Sequence, residues 1–124
     1  MDKLLDTSVI VEIFGGNKKV IESLSPNETY AIPTIVLFEL YCGNLKEREV
    51  LMLEMIPKVE FNEEAAKIAG WMFQDLKEKG KLPPLKDLLI AATAIAHDMT
   101  LITCDRDFEM FKEYGLKVKI LEIC

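Results

Sequence analysis

Four acids stand where the chain passes from one apolar segment to the next. Asp6 follows Leu4-Leu5, and Glu39 is set between Leu37-Phe38 and Leu40-Tyr41. Asp87 opens an apolar run that continues to Ala96, and Asp105 follows Thr100-Leu101-Ile102-Thr103-Cys104. Carboxylates held close together repel and raise one another's pKa unless a cation lies among them. An all-oxygen donor set favours Mg2+ or Mn2+ over zinc. Such ions hold a scissile phosphate, activate a water and stabilise the leaving oxygen, and paired ions stand about 3.5–4 Å apart. The only histidine is His97, and there is no Gly-x-Ser-x-Gly motif, so a Ser-His-Asp or Cys-His mechanism has no support. Catalysis in this chain is expected to rest on carboxylates.

Each acid also has a purely structural use. Asp6 can cap the helix that follows it, and Asp87 can complement a helix dipole. Asp105 and Asp107 can be ordinary loop acids. Glu39 is harder to explain this way, because a carboxylate among four apolar neighbours is costly to bury without a partner.

The elements that would position these acids alternate between strand and helix. Leu4-Leu5 reads as a short buried strand, followed by a helix capped by Thr7 or Ser8 and stopped by Gly15-Gly16. A helical piece over 17–24 leads to a strand over 29–32, then to a helix opened by Pro33-Thr34 that carries Glu39. Residues 46–56 form another helix, and 59–61 a brief strand. Asn62 starts a long helix whose apolar stripe is Ala65, Ile68, Ala69, Met72, Phe73 and Leu76, with Trp71 off the stripe. Pro83-Pro84 breaks the chain before the apolar helix with Asp87 in its first turn. A strand over 100–103, a short helix over 106–114 ended by Gly115, and a strand over 118–121 complete the order.

Short apolar strands alternating with helices predict an α/β fold, a three-layer α/β/α sandwich around a short central parallel sheet, in one domain over 1–124. Right-handed crossovers keep the strand ends on one edge, where ligands of open α/β sheets bind. Asp6 and Asp105 belong at that edge. Asp87 joins them only if the start of its helix folds back over it.

Composition narrows the functional classes. No apolar run approaches the roughly 20 residues of a membrane span. The acids at the start do not suit a secretory signal, so a soluble cytoplasmic protein is expected. Cys42, Cys104 and Cys124 are odd in number and widely spaced, which argues against a disulfide framework or zinc site; Cys42 and Cys104 read as small core residues. The net charge of −6 argues against a protein that coats nucleic acid, though not against a nuclease whose acidic pocket binds cations. The charged form of His97 would suit a helix C-terminus.

Leu5-Asp6-Thr7-Ser8, Glu39-Leu40, Asp87-Leu88-Leu89-Ile90-Ala91-Ala92 and Thr103-Cys104-Asp105-Arg106-Asp107, with the main acids 33, 48 and 18 residues apart, resemble the PIN-domain family. The resemblance is in particular to the VapC-type ribonuclease toxins of toxin–antitoxin pairs. It implies a Mg2+-dependent endoribonuclease, with Mn2+ as a possible substitute. Asp6 and Asp87 would be the principal metal ligands, with Asp105 and Glu39 binding a second ion or positioning water. Ser8 and Thr103 would orient those carboxylates, and Asp107 would be an outer acid.

The resemblance further implies RNA as substrate, a small antitoxin partner whose tail wraps the toxin, and a homodimer or higher homo-oligomer. The apolar content of helix 46–56 and the position of Trp71 fit partner surfaces as well as internal packing. Among the cations, Arg106 is the best placed to hold a phosphate, because it lies between two of the acids. Two rival readings are a receiver-type signalling domain and a non-catalytic PIN-like scaffold or RNA-processing subunit. The first wants a strand ending on Asp near mid-chain, where this chain has the helix over 46–56. The second would be marked by a missing acid, and none is missing.

Overall fold

The computed structural model describes residues 2–124; Met1, the first residue of the domain expected over 1–124, lies outside the described residues. The elements run β1 (Asp2–Leu5), α1 (Thr7–Phe14), α2 (Lys18–Ser23), β2 (Thr29–Pro33), α3 (Thr34–Tyr41), α4 (Glu47–Met55), β3 (Lys58–Val59) and α5 (Glu63–Glu78). They continue with α6 (Leu85–Ala96), β4 (Thr100–Thr103), a 3₁₀ helix (Arg106–Tyr114) and β5 (Val118–Ile120). Among the described residues the strands form one five-stranded parallel sheet in the order β3-β2-β1-β4-β5. The chain builds outward from β1 through β2 to β3, then crosses back to place β4 on the other side of β1. That reversal between β1 and β4 is where an open α/β sheet leaves a crevice.

The register aligns the strand ends. Leu4 pairs with Ala31 on one side and Leu101 on the other, and Leu5 lies opposite Ile102. Asp6 N–H then donates to the Ile102 carbonyl at 3.0 Å, tying the exit of β1 to β4. Leu4, Ile32 and Leu101 from the sheet pack with Val9, Ile10, Val36, Leu88, Ile90 and Phe108 in the core, all fully or nearly fully buried. Among the described residues no helix is long and apolar enough to cross a membrane.

Most boundaries follow local chemistry. Asn17 accepts from the Lys19 and Val20 N–H groups at the start of α2, and Asn62 accepts from Ala65 N–H at the start of α5. Glu49 reaches back to Lys46 N–H at 2.9 Å to close the first turn of α4. Gly80, at φ +67°, follows the last turn of α5, and Lys81 N–H returns to the Leu76 carbonyl.

Four expectations are corrected. Neither Thr7 nor Ser8 caps α1: Asp6 holds the cap position, and both hydroxyls are directed at carboxylates instead. The strand expected over 59–61 is Lys58–Val59, because only those residues reach the ladder of β2. Phe73 is 37% exposed, since the α5 stripe that packs inward is the narrower Ala65-Ala69-Met72-Leu76. Cys42 is exposed at the end of α3, and Cys104 is joined to Cys124 in a disulfide with a Cα–Cα distance of 5.8 Å. The pairing of β5 with β4 returns the chain alongside Cys104, a closeness that a separation of 20 residues does not reveal.

Candidate active site

The site lies where β1 and β4 end. Asp6, 5% exposed, is the most enclosed of the acids. Its Oδ2 accepts from Thr103 Oγ1 at 2.7 Å and from Ser8 Oγ at 2.9 Å, so the hydroxyl at the end of β4 fixes the carboxylate at the end of β1. Burial pushes the pKa of Asp6 up, these hydrogen bonds pull it down, and the nearby Glu39 charge adds to the rise; the balance is upward. The network extends into the backbone: Cys104 N–H donates to Ser8 Oγ at 3.0 Å, and Asp105 N–H donates to Thr103 Oγ1 at 3.0 Å.

Glu39 comes from α3 and is held by partners the sequence left unassigned. Thr7 Oγ1 donates to its Oε1 at 2.8 Å, and Lys86 Nζ stands 3.5 Å from its Oε2. These answer the cost of placing a carboxylate among apolar neighbours. Thr7 could have been suspected only from its place beside Asp6, where it read as a helix cap. Lys86 neighbours Asp87 in the first turn of α6, so its contact with Glu39 shows that this helix start folds over the sheet edge.

Asp87 is half-buried, and its pKa is raised to about 6. Partial burial is the largest cause, followed by the charges of Asp6, Asp105, Glu39 and Asp107. The structure therefore brings together acids from both ends and the middle of the chain. Asp105 has a second engagement: its Oδ1 accepts from Asp107 N–H at 2.8 Å and opens the 3₁₀ helix. Asp107 itself is exposed at the rim.

Arg106 does not point into this cluster. Its guanidinium pairs with Glu109 at 3.3 Å and with Glu122 from the segment after β5. Sequence adjacency to two site acids did not fix its direction, because successive side chains at a helix start diverge.

The donor set fits a hard divalent cation by its chemistry: anionic oxygens, partly desolvated, with Asp87 raised in pKa by burial first and then by the charges of the other acids. Among the described residues no three His, Cys, Asp or Glu side chains are already close enough to enclose one ion. The acids therefore feel one another's charge at Asp87 without enclosing an ion.

Similarity to known proteins identifies the family. A family model described as PIN domain matches residues 3–114. Ribonuclease VapC3 of Methanocaldococcus jannaschii is 50% identical over 92 residues, covering 74% of this chain and 97% of that relative. Ribonuclease VapC1 of the same organism is 35% identical over 118 residues, covering 93% of this chain and 85% of that relative. The structure of VapBC2 from Rickettsia felis, bound to a DNA fragment from their promoter, superposes with a TM-score of 0.80 at 27% identity, over 98% of this chain and 99% of that one.

Proposed function

The chain belongs to the PIN-domain family, and on that premise we propose that it is a metal-dependent endoribonuclease acting as the toxin of a toxin–antitoxin pair. The observation that carries this reading is the meeting of Asp6, Glu39, Asp87 and Asp105 at the β1–β4 crevice, felt most strongly at Asp87. Its relatives' description as ribonucleases supports the substrate class, and the VapBC neighbours support a cognate antitoxin. The proposed domain is the whole of 1–124, working in the cytoplasm.

In this reading Asp6 and Asp87 are the principal ligands of Mg2+ or Mn2+, and Glu39 and Asp105 hold a second ion or orient the attacking water. The bound ion supplies Lewis acidity to the phosphate and lowers the pKa of water. Thr103 and Ser8 fix the rotamer of Asp6, so that carboxylate is oriented before substrate arrives. Thr7 and Lys86 do the same for Glu39. Asp107 adds negative charge at the rim without a fixed partner in the cluster.

The proposed docking surface for the antitoxin is the cleft of about 380 Å³ between α1, α2 and α4, because it is lined by the apolar Ile13, Phe14, Ile21 and Met52 with Arg48 and Glu49 beside them. A homodimer or higher homo-oligomer belongs to the same proposal.

Purified protein is expected to cleave RNA with Mg2+ or Mn2+ and to stop in EDTA. Asp6→Asn and Asp87→Asn are expected to remove cleavage while leaving circular dichroism and thermal unfolding cooperative. Cleavage that survives EDTA, or full activity in both variants, would discard the metal–carboxylate proposal, and absence of cleavage with either ion would return the non-catalytic scaffold.

A further inference from the structure

We infer that Cys104 and Cys124 form a thiol–disulfide site that clamps the segment after β5 and thereby withholds Arg106 from the mouth of the acidic crevice. The inference rests on the ribonuclease reading only for what Arg106 meets when released, namely an RNA phosphate.

The two sulfurs sit where a change of state is felt. Cys104 lies between Thr103 and Asp105, and its N–H donates to the same Ser8 hydroxyl that bonds Asp6. Leu121 is buried, and its N–H donates to the Thr103 carbonyl at 2.8 Å, so the chain is anchored up to that residue. Beyond it Glu122, Ile123 and Cys124 are all exposed, and the disulfide is the covalent tie that returns them to β4.

Glu122 is the residue that pairs with Arg106. Both side chains are largely exposed, and an ion pair in water is weak when its partners are free to separate. Glu122 directly follows the anchored Leu121, and tying Cys124 to Cys104 fixes the chain on its other side as well, so its effective concentration at Arg106 stays high. Cys104 is half-buried against the core while Cys124 is exposed, so a thiolate can reach the bond from the Cys124 side, and accessible disulfides are the labile, regulatory kind.

The reductant is a dithiol. Its thiolate attacks one of the two sulfurs, the Cys104–Cys124 bond breaks, and a mixed disulfide forms. The second thiol of the reductant then displaces the protein sulfur and closes its own disulfide. Two electrons pass from the dithiol to the protein, and two protons end on the Cys104 and Cys124 thiols. Glu122 is then held from the Leu121 side alone and separates from Arg106 more often, leaving Glu109 as the guanidinium's standing partner and letting it turn toward the crevice.

The test uses the full chain, oxidised in air or treated with dithiothreitol. Alkylation and mass measurement are expected to find one modified cysteine, Cys42, in the oxidised sample and all three in the reduced one. Trypsin is expected to cut after Arg106 several-fold faster in reduced protein. With Mg2+ and a single-stranded RNA oligonucleotide, reduction is expected to lower KM several-fold and change kcat less. Cys124→Ser is expected to match the reduced protein with or without dithiothreitol, and Arg106→Ala to abolish the difference in KM. Three modified cysteines in the oxidised sample overturn the inference, as do equal trypsin rates in the two states. Equal KM values in two active states also overturn it. If neither state cleaves RNA, the ribonuclease reading fails, and the trypsin comparison still decides whether the clamp exists.

Discussion

Asp87 is the side chain on which the charge of the crevice is concentrated, since burial and four neighbouring acids all push it the same way. Its pKa rises from 3.8 to about 6 on folding, so between these values the folded state holds more proton than the unfolded one. The favourable contribution is complete below about pH 3.8 and is lost as pH rises through about 6. Metal-free protein is therefore expected to lose stability across that window. At pH 7 Asp87→Asn should stabilise it by about 1–2 kcal/mol, a figure reduced from the full shift because the group is partly solvated. Urea unfolding at pH 4 and pH 7 checks this, with little difference between wild type and variant expected at pH 4. The acids themselves were legible from their apolar flanks. Their hydroxyl and ammonium partners were not, because Thr7 and Lys86 approach Glu39 from elements 32 and 47 residues away in the chain.

At the scale of elements, α6 and α4 have opposite surroundings. The run from Leu88 to Ala94 in α6 is almost wholly enclosed, and the helix is tied at its far end by His97 Nε2, 2.9 Å from the Glu60 carbonyl. In α4 only Glu49 and Leu53 are buried, while Leu51, Met52 and Met55 face outward, Met55 at 85% exposure. Flexible thioethers on an open helix face suit an adaptable partner surface. Met52→Glu is expected to prevent copurification of a co-expressed antitoxin while leaving RNA cleavage within about twofold, since α4 supplies no residue to the crevice. Trp71 proved exposed and stacked edge-on against Tyr114, with ring centroids 5.3 Å apart. Its helical phase had marked it as off the buried stripe, but its neighbour comes from the 3₁₀ helix, which periodicity within α5 could not name.

For the whole molecule, the net charge of −6 means that the proposed RNA substrate would approach against a repulsive field and be held at a few local cations. Lys86 is already on Glu39, and Arg106 is held by Glu122 and Glu109. Phosphate contacts so few in number cannot give tight, indiscriminate binding, and this suits an enzyme that turns over better than a protein that coats its target. Expression in a bacterial host without the antitoxin is expected to arrest growth, and Asp87→Asn is expected to relieve the arrest. Counting colonies after induction of the two alleles checks it, and harmless wild type would favour the scaffold.

The sequence by itself determined the order of strands and helices, because that order depends on hydrophobic period, Asn caps and Gly or Pro stops, all read within a few residues. It also determined which carboxylates to consider, since an acid against an apolar run is conspicuous in one dimension. Only the tertiary structure decided that β4 returns beside β1, that the start of α6 folds over their ends, and that Arg106 turns to Glu122. Only it decided that Cys104 meets Cys124. Each of these is a closeness between residues far apart along the chain, set by how the sheet is ordered and packed, and no local pattern carries that information.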